Sequence, residues 1–259
     1  MENSENKSLI STGSSNLAKT EKLLSITQKI LSEIKPKFES VRIGNQEWMT
    51  RNLDVDRFRN GDLIPRVESN EEWEYAGENG QPACCYYDND PENGKKYGKL
   101  YNWYAVADNR GLAPAGWHVP TDDEWTILAE FLRFEVSGLK MKSVEGWEDW
   151  EDEDGEFQNG NGDNSSGFNG VPGGHRSGCG SFGSVRHFAN FWSATENDNF
   201  CAYLSELYKR DSFVYFGGFT NKRGGLSVRC LKDSIDSKWR QAVNFGTIKP
   251  FIPPGLNLK

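Results

Sequence analysis

Residues 97–125 read YGKLYNWYAVADNRGLAPAGWHVPTDDEW, and this stretch is the most informative about the fold. Near its end, Thr121 is placed to cap the amide of Glu124, and Glu124 is placed to reach back to the amide of Thr121. Apolar residues then recur at helical spacing. They are Trp125, Leu128, Ala129 and Leu132. The pattern predicts a helix over residues 121–133.

Other elements are expected on both sides of this helix. Leu100–Val106 is a second helix candidate, with Leu100, Trp103 and Tyr104 facing inward. Val41 to Met49 alternates apolar and polar residues around Gly44-Asn45, which indicates a hairpin. Late strand-like runs follow a long acidic and then Gly/Asn-rich loop region at 145–175. These runs are Asn190–Ala194, Ala202–Tyr208, Ser212–Phe216 and Leu226–Leu231. The sequence therefore predicts an α+β fold with long irregular loops.

Composition and net charge limit the classes of function that the chain can have. The chain has 259 residues, nine Trp, 27 Gly and 13% aromatic residues, which indicates a core filled by large rings. The net charge of -8 argues against nucleic acid as the main partner, because phosphate binding needs a basic face. No apolar run reaches membrane-spanning length, and the N-terminus lacks a signal-peptide core. We expect a cytoplasmic protein, with carriage on a phage particle as the alternative.

The two ends differ in character from the middle. Residues 1–15 are polar and are expected to be disordered. Residues 16–36 predict an amphipathic helix that either docks on its own domain or self-associates into a homo-oligomer. Residues 234–259 hold apolar side chains around three prolines and predict an extended tail.

The sequence gives little support for a metal site or for reactive thiols. The five cysteines, Cys84, Cys85, Cys179, Cys201 and Cys230, follow no zinc spacing, and buried free thiols are favoured over a structural disulfide. His118, within Trp-His-Val-Pro, is expected to be a packed core residue. Acidic and amide-rich loops at 88–90, 149–154 and 161–164 offer oxygen ligands for Ca²⁺ but match no EF-hand pattern. We expect no cofactor, with calcium as the alternative.

Several long phrases identify a family resemblance. Besides residues 97–125, they are IGNQEWMTRNLDVDRFRNGDLIP (43–65), SGFNGVPGGHR (166–176), FWSATE (191–196) and GLSVRCLKD (225–233). Together they resemble the Fibrobacter succinogenes major paralogous domain family over residues 41–233. The resemblance implies a C-type-lectin-like fold, related to formylglycine-generating, sulfatase-modifying enzymes. In that fold two helices flank a small twisted antiparallel sheet.

The resemblance also implies roles for single residues. Trp117, Trp125 and Trp192 would be core or loop-anchoring rings, and Arg229 would be a structural cation bonded to loop carbonyls. Enzymes of this fold bind copper through a near pair of late cysteines, whereas Cys201 and Cys230 lie 29 positions apart. We therefore expect a protein that is not an enzyme. The alternatives are a metal-dependent oxidase and a purely structural or assembly domain.

The segment 197–222 is the expected binding surface. It mixes rings with Ser, Asp, Asn and Gly, as antibody contact loops do. Strand alternation would place Ser205 with Leu207 and Tyr203 on one face, and Glu206 with Leu204 and Tyr208 on the other. The candidate residues for binding a protein or other surface ligand are Phe200, Tyr203, Ser205, Glu206, Tyr208, Arg210, Ser212, Phe213, Tyr215, Phe216 and Phe219.

Family resemblance adds a hypothesis about this segment. Some proteins of this fold are variable proteins of diversity-generating retroelements, in which asparagine codons become Tyr, Ser, Asp, Gly, Phe, Cys, Val or Leu. Residues 200–219 are populated by nearly that set and precede the run Lys-Arg-Gly-Gly-Leu-Ser-Val-Arg-Cys. A variable cassette on a constant frame and an ordinary pair of strands both fit these residues.

Overall fold

The computed structural model describes residues 38–234. The predicted disorder of 1–15, the predicted helix 16–36 and the tail from 235 onward lie outside the described residues. Within them, five α-helices occur, where the resemblance implies two. They are α1 (Asn70–Glu78), α2 (Pro91–Tyr97), α3 (Trp103–Val106), α4 (Asp122–Phe131) and α5 (Phe134–Met141). Ser69 caps α1 at the Glu72 amide, and α1 buries only Trp73, Ala76 and Gly77, so its apolar spacing is sparse.

Fourteen short strands complete the described part of the chain. They are β1 (Ser40–Ile43), β2 (Gln46–Met49), β3 (Cys84–Cys85), β4 (Leu100–Asn102), β5 (Trp117–His118), β6 (Trp150–Glu151), β7 (Phe157–Gln158), β8 (His175–Arg176), β9 (Phe182–Gly183), β10 (Phe188–Glu196), β11 (Cys201–Tyr208), β12 (Val214–Asn221), β13 (Gly225–Leu226) and β14 (Leu231–Lys232). Their pairings are antiparallel, in sheets of order β1-β2-β14-β5, β3-β4-β13-β8-β9, β10-β11-β12 and β6-β7. The α+β prediction is confirmed.

The start of α4 follows the sequence prediction. The Thr121 hydroxyl accepts from the Glu124 amide at 3.3 Å, and the Glu124 carboxylate accepts from the Thr121 amide at 2.9 Å. Trp125, Leu128 and Ala129 are buried on its inner face. The predicted hairpin also forms, with β1 and β2 turning at Gly44, whose φ of 62° suits glycine.

Three predicted elements have different limits. Leu100–Val106 is not one helix, because Leu100–Asn102 pairs as β4 with β3 and β13, and the Asn102 side chain then caps the short α3 at the Ala105 amide. The run Leu226–Leu231 divides into β13 and β14. The expected strand Ser212–Phe216 begins later and runs further, as β12.

Buried rings fill the core beside α4. The indole of Trp125 lies 4.7 Å from that of Trp48 and 5.5 Å from the ring of Phe191, between ring centroids. Phe168 meets Trp48, Trp125 and Phe191 in edge-on contacts. Such ring packing stabilises a core beyond the area that it buries. The inner face of the β10-β11-β12 sheet closes this cluster, with Ala189, Leu207 and Val214.

Candidate ligand-binding surface

The predicted binding residues lie on the hairpin of β11 and β12 and on the loop before it. Strand β12 is the outermost strand of its sheet, since it pairs with β11 alone among the described strands. Leu207 and Val214 point from the hairpin into the core. Phe216 is half-buried against the same core, and the opposite face carries Glu206, Tyr208 and Tyr215.

Exposure separates the predicted residues into three groups. Phe200, Phe219 and Tyr215 are exposed, at 71%, 60% and 43% of their full areas, and Arg210 and Ser212 are exposed as well. Five others are half-buried: Tyr203, Glu206, Tyr208, Phe213 and Phe216. We call these ten residues the display surface.

Ser205 corrects the prediction. It is fully buried and stands opposite the core residue Phe191, so its side chain cannot meet a ligand at the surface. The irregular register of β11 against β12, between Leu204 and Glu206, does not change this, because Ser205 and Leu207 both face the core. The expected pairing of Ser205 with Leu207 on one face is therefore seen, but that face is the inner one.

Cross-strand rows organise the outer face of the sheet. Phe188 on β10 stands opposite Tyr208 on β11, and their rings stack with centroids 4.4 Å apart. The next row runs from Asn190 through Glu206 to Tyr215, one residue from each strand. Directly opposite side chains in a sheet are about 5 Å apart, so the members of each row are neighbours.

A second aromatic group extends the display surface towards α5. Phe134 lies 5.5 Å from Phe213 and 5.6 Å from Phe216 between ring centroids, and Phe213 lies 4.6 Å from Tyr215. Phe134 is itself exposed, as is Phe131 at the end of α4. Sequence reasoning missed Phe134. Its position just after α4, outside the aromatic segment 197–222, gave no signal that it joins this surface.

Polar contacts hold the open end of the hairpin, where β11 begins and β12 ends. Asp198 accepts hydrogen bonds from the amides of Phe200, at 2.7 Å, and Cys201, at 2.8 Å. The buried Lys222 ammonium pairs with Glu196 and donates to the Asp198 carbonyl at 2.6 Å. The loop that carries Phe200 is thus fixed to the end of β12, although its ring is exposed.

A buried arginine ties the late chain to the early chain. Arg229 has no exposed surface, and its guanidinium donates to the carbonyl oxygens of Met49, Phe168 and Asn169 and to the side-chain oxygen of Asn52. Burial lowers its pKa to about 9, which leaves the group charged at neutral pH. The expected structural role of Arg229 is confirmed.

Arg176 is a second fully buried arginine, and sequence reasoning did not single it out. Its guanidinium lies between the rings of Trp73 and Phe182, 4.6 and 4.8 Å from their centroids. It donates to the carbonyls of Val67 and Glu68, each at 2.8 Å. The motif SGFNGVPGGHR contains this residue, so a charged residue within a Gly-rich run was the available signal.

Comparison with known proteins identifies the family of the chain. The model of the Fibrobacter succinogenes major domain matches residues 41–232. The chain belongs to the Fibrobacter succinogenes major domain family. None of the curated proteins matches the chain, and no solved structure does.

The matched part of this Fibrobacter succinogenes major domain includes the three fully buried thiols. Burial raises the pKa of Cys84 to about 12, of Cys85 to about 11 and of Cys230 to about 12. These thiols are therefore protonated at neutral pH, and a thiolate is the form that attacks substrates or binds metals. The five cysteines are unpaired, as the sequence favoured, but only three are buried: Cys179 is exposed and Cys201 is half-buried.

His118 departs from its predicted role as a packed core residue. Its ring is partly exposed and lies 3.0 Å from both the Glu124 carboxylate and the Asp233 carboxylate. Burial opposes its charged form, but the hydrogen bonds and charges of the two carboxylates outweigh burial and raise the pKa of His118. The ring joins the start of α4 to the segment after β14.

The loops considered for Ca²⁺ use their oxygens locally. Asp152 accepts the amides of Asp154 and Glu156, and Asp90 caps α2 at the Glu92 amide. Over residues 38–234, no group of three or more His, Cys, Asp or Glu side chains could hold a metal ion. Among the same residues, no helix is long and apolar enough to cross a membrane.

Proposed function

We propose that this protein is a non-catalytic ligand-binding protein that holds a protein ligand on the display surface. The observation that carries the proposal is the exposure of Phe200, Tyr215 and Phe219 on or beside one edge hairpin, whose Leu207 and Val214 are core residues. Exposed aromatic clusters are typical of interaction sites, since they give large contact area with few torsions to freeze.

The fixed backbone of the hairpin supports the proposal. Asp198 and Lys222 fix one end of it, and at the other end the buried Lys142 ammonium donates to the carbonyls of Tyr208 and Lys209. A surface that is ordered before it meets its ligand loses less conformational entropy on binding. Long loops and small antiparallel sheets also support a C-type-lectin-like variety of the fold, related to formylglycine-generating enzymes.

The location of the exposed rings supports a more specific proposal, that the display surface is genetically diversified. Exposed positions can change without altering the core, and all ten residues of the display surface are exposed or half-buried. The neighbouring DNA tests this form. A reverse-transcriptase gene and a near-copy of the 3′ coding region, differing only at adenines, are expected. A locus without either would exclude diversification but leave ligand binding intact.

A display library tests ligand binding itself. Phe200, Tyr203, Tyr215 and Phe219 are randomised together in the full chain, and the library is selected against a panel of purified proteins. Binders are expected whose melting temperatures stay near that of the parent. As a matched control, a library at the core positions Ala189, Phe191, Leu207 and Val214 should yield few folded clones. A display-surface library that unfolds as often as the core library would contradict the proposal.

A further inference from the structure

The outer face of the β10-β11-β12 sheet holds an acidic group beside the display rings. Glu206 is half-buried in the middle of the face, and Asp211 follows β11 closely enough to interact with it electrostatically. The phenol of Tyr215 donates a hydrogen bond to Asp211. Glu206 and Asp211 form no ion pair with any Lys, Arg or His among residues 38–234.

An unpartnered amide lies in the same row. Asn190 is only 6% exposed, and its side-chain oxygen is buried without a hydrogen-bond partner in the described chain. Its register partner is Glu206, so both side chains project from the same face of the sheet. A buried acceptor left unpaired is costly and is uncommon in native structures. A donor supplied by a ligand would satisfy it.

Two cations in this region, Lys142 and Arg210, have other contacts. The Lys142 ammonium feels the charge of Asp211, but it donates to main-chain carbonyls, and burial lowers its pKa to about 8. The guanidinium of Arg210 lies 5.2 Å from the centroid of the Trp150 ring. Burial and the Asp211 charge together raise the pKa of Glu206, as expected for a carboxylate that lacks a counter-charge.

We propose that this row, Asn190, Glu206 and Tyr215 with Asp211 beside it, binds an arginine side chain of a partner protein. The inference rests on the proposed function and names the chemistry that the surface recognises. A guanidinium has five N–H donors and no acceptor, which matches two carboxylates and one amide oxygen. Its plane also stacks on aromatic rings, and the Tyr208–Phe188 stack stands in the adjacent row.

The test uses the full ¹⁵N-labelled chain and two small probes. N-acetyl-arginine amide carries the guanidinium, and its citrulline analogue has nearly the same shape without the charge. Titration of the arginine probe should produce saturable NMR shifts centred on Asn190, Glu206 and Tyr215. The citrulline probe should bind about tenfold more weakly, because it loses a charge-assisted hydrogen bond.

Two matched variants separate a local site from overall charge. Glu206→Gln should weaken the arginine probe about tenfold, whereas Glu130→Gln, an exposed change of equal charge on α4, should leave its affinity unchanged. Equal shifts from both probes, or equal losses in both variants, would overturn the proposal. If library clones bind proteins while the arginine probe does not bind, this inference fails and the proposed function stands. If the arginine probe binds but no library clone binds a protein, the arginine site stands and the proposed function fails.

Discussion

Arg229 shows how one charged side chain can organise a domain from inside it. It reaches main-chain carbonyls of two separate early and middle segments, near Met49 and near Phe168, and it also meets Asn52. Its guanidinium lies 4.4 Å from the centroid of the Phe168 ring, so charge and ring packing meet at the same place. An arginine suits this position because its fork of donors serves several acceptors at once.

Replacement of Arg229 should therefore be severe. Arg229→Met leaves the carbonyls and the Asn52 oxygen buried without donors, and we expect the free energy of unfolding to fall by about 3 kcal/mol. Urea denaturation followed by tryptophan fluorescence measures it. Arg42→Met on the edge strand β1 is the matched control and should change stability by less than about 0.5 kcal/mol. Similar losses in both variants would refute the assigned role.

His118 should make stability depend on pH. Because its two carboxylate partners raise its pKa in the folded chain, its contribution is fully present below the unfolded value of about 6.5 and is lost as pH rises through the folded pKa. The difference in unfolding free energy between wild type and His118→Gln should thus be larger at pH 5.5 than at pH 9. Urea titrations of both proteins at the two pH values measure it. A difference that does not vary with pH would contradict the prediction.

At the scale of elements, the display hairpin depends on α5. A Cβ added at Gly138 would lie 2.4 Å from the Phe213 carbonyl oxygen, and the Leu139 amide donates to the Ser212 carbonyl at 2.8 Å. The helix backbone therefore lies directly against the start of β12. Small residues at such a contact allow two backbones to approach each other closely.

Gly138→Ala should displace this contact. We expect a loss of about 1–3 kcal/mol in unfolding free energy, together with NMR shifts that spread along β12. Gly218→Ala is the matched control, since an added Cβ there meets no atom within 4 Å and the backbone is not left-handed. Equal effects of the two substitutions would show that α5 does not support the hairpin.

The cap of α4 gives a second prediction at this scale. Thr121→Ala removes the hydroxyl that accepts from the Glu124 amide, and we expect a cost of about 1 kcal/mol. The half-buried Thr50 provides a matched Thr→Ala control, for which a smaller loss is expected. Thermal unfolding of both variants compares them, and a cap variant as stable as wild type would contradict the prediction.

Local signals explain which elements could be predicted from the sequence. The capping box of α4 and the turn at Gly44 are encoded within a few neighbouring residues, and both were found. Long-range pairing decides the others: Leu100 to Asn102 forms a strand because β3 and β13 lie beside it. In the candidate site, too, local signals predict some features and tertiary packing decides the others. Ring composition located the hairpin, but the burial of Ser205 and the place of Phe134 depend on tertiary packing.

At the scale of the whole molecule, the display rings and the core rings should differ in their tolerance of change. The triple variant Phe200→Ser, Tyr215→Ser, Phe219→Ser removes three exposed rings and should stay within about 1 kcal/mol of wild type. The single variant Phe191→Ala empties a core position and should cost about 3–5 kcal/mol. Urea midpoints compare them. A triple variant less stable than Phe191→Ala would show that the display rings support the fold.

The position of Arg229 also bears on biosynthesis. Its bond to Met49 spans 180 residues, and β14 pairs with β2 across a similar interval. A chain emerging from the ribosome cannot complete this closure until β14 and Arg229 have been translated. Contacts so distant in sequence slow folding. Until they form, the unfinished chain exposes apolar side chains, including its tryptophans, and chaperones bind exposed surface of this kind.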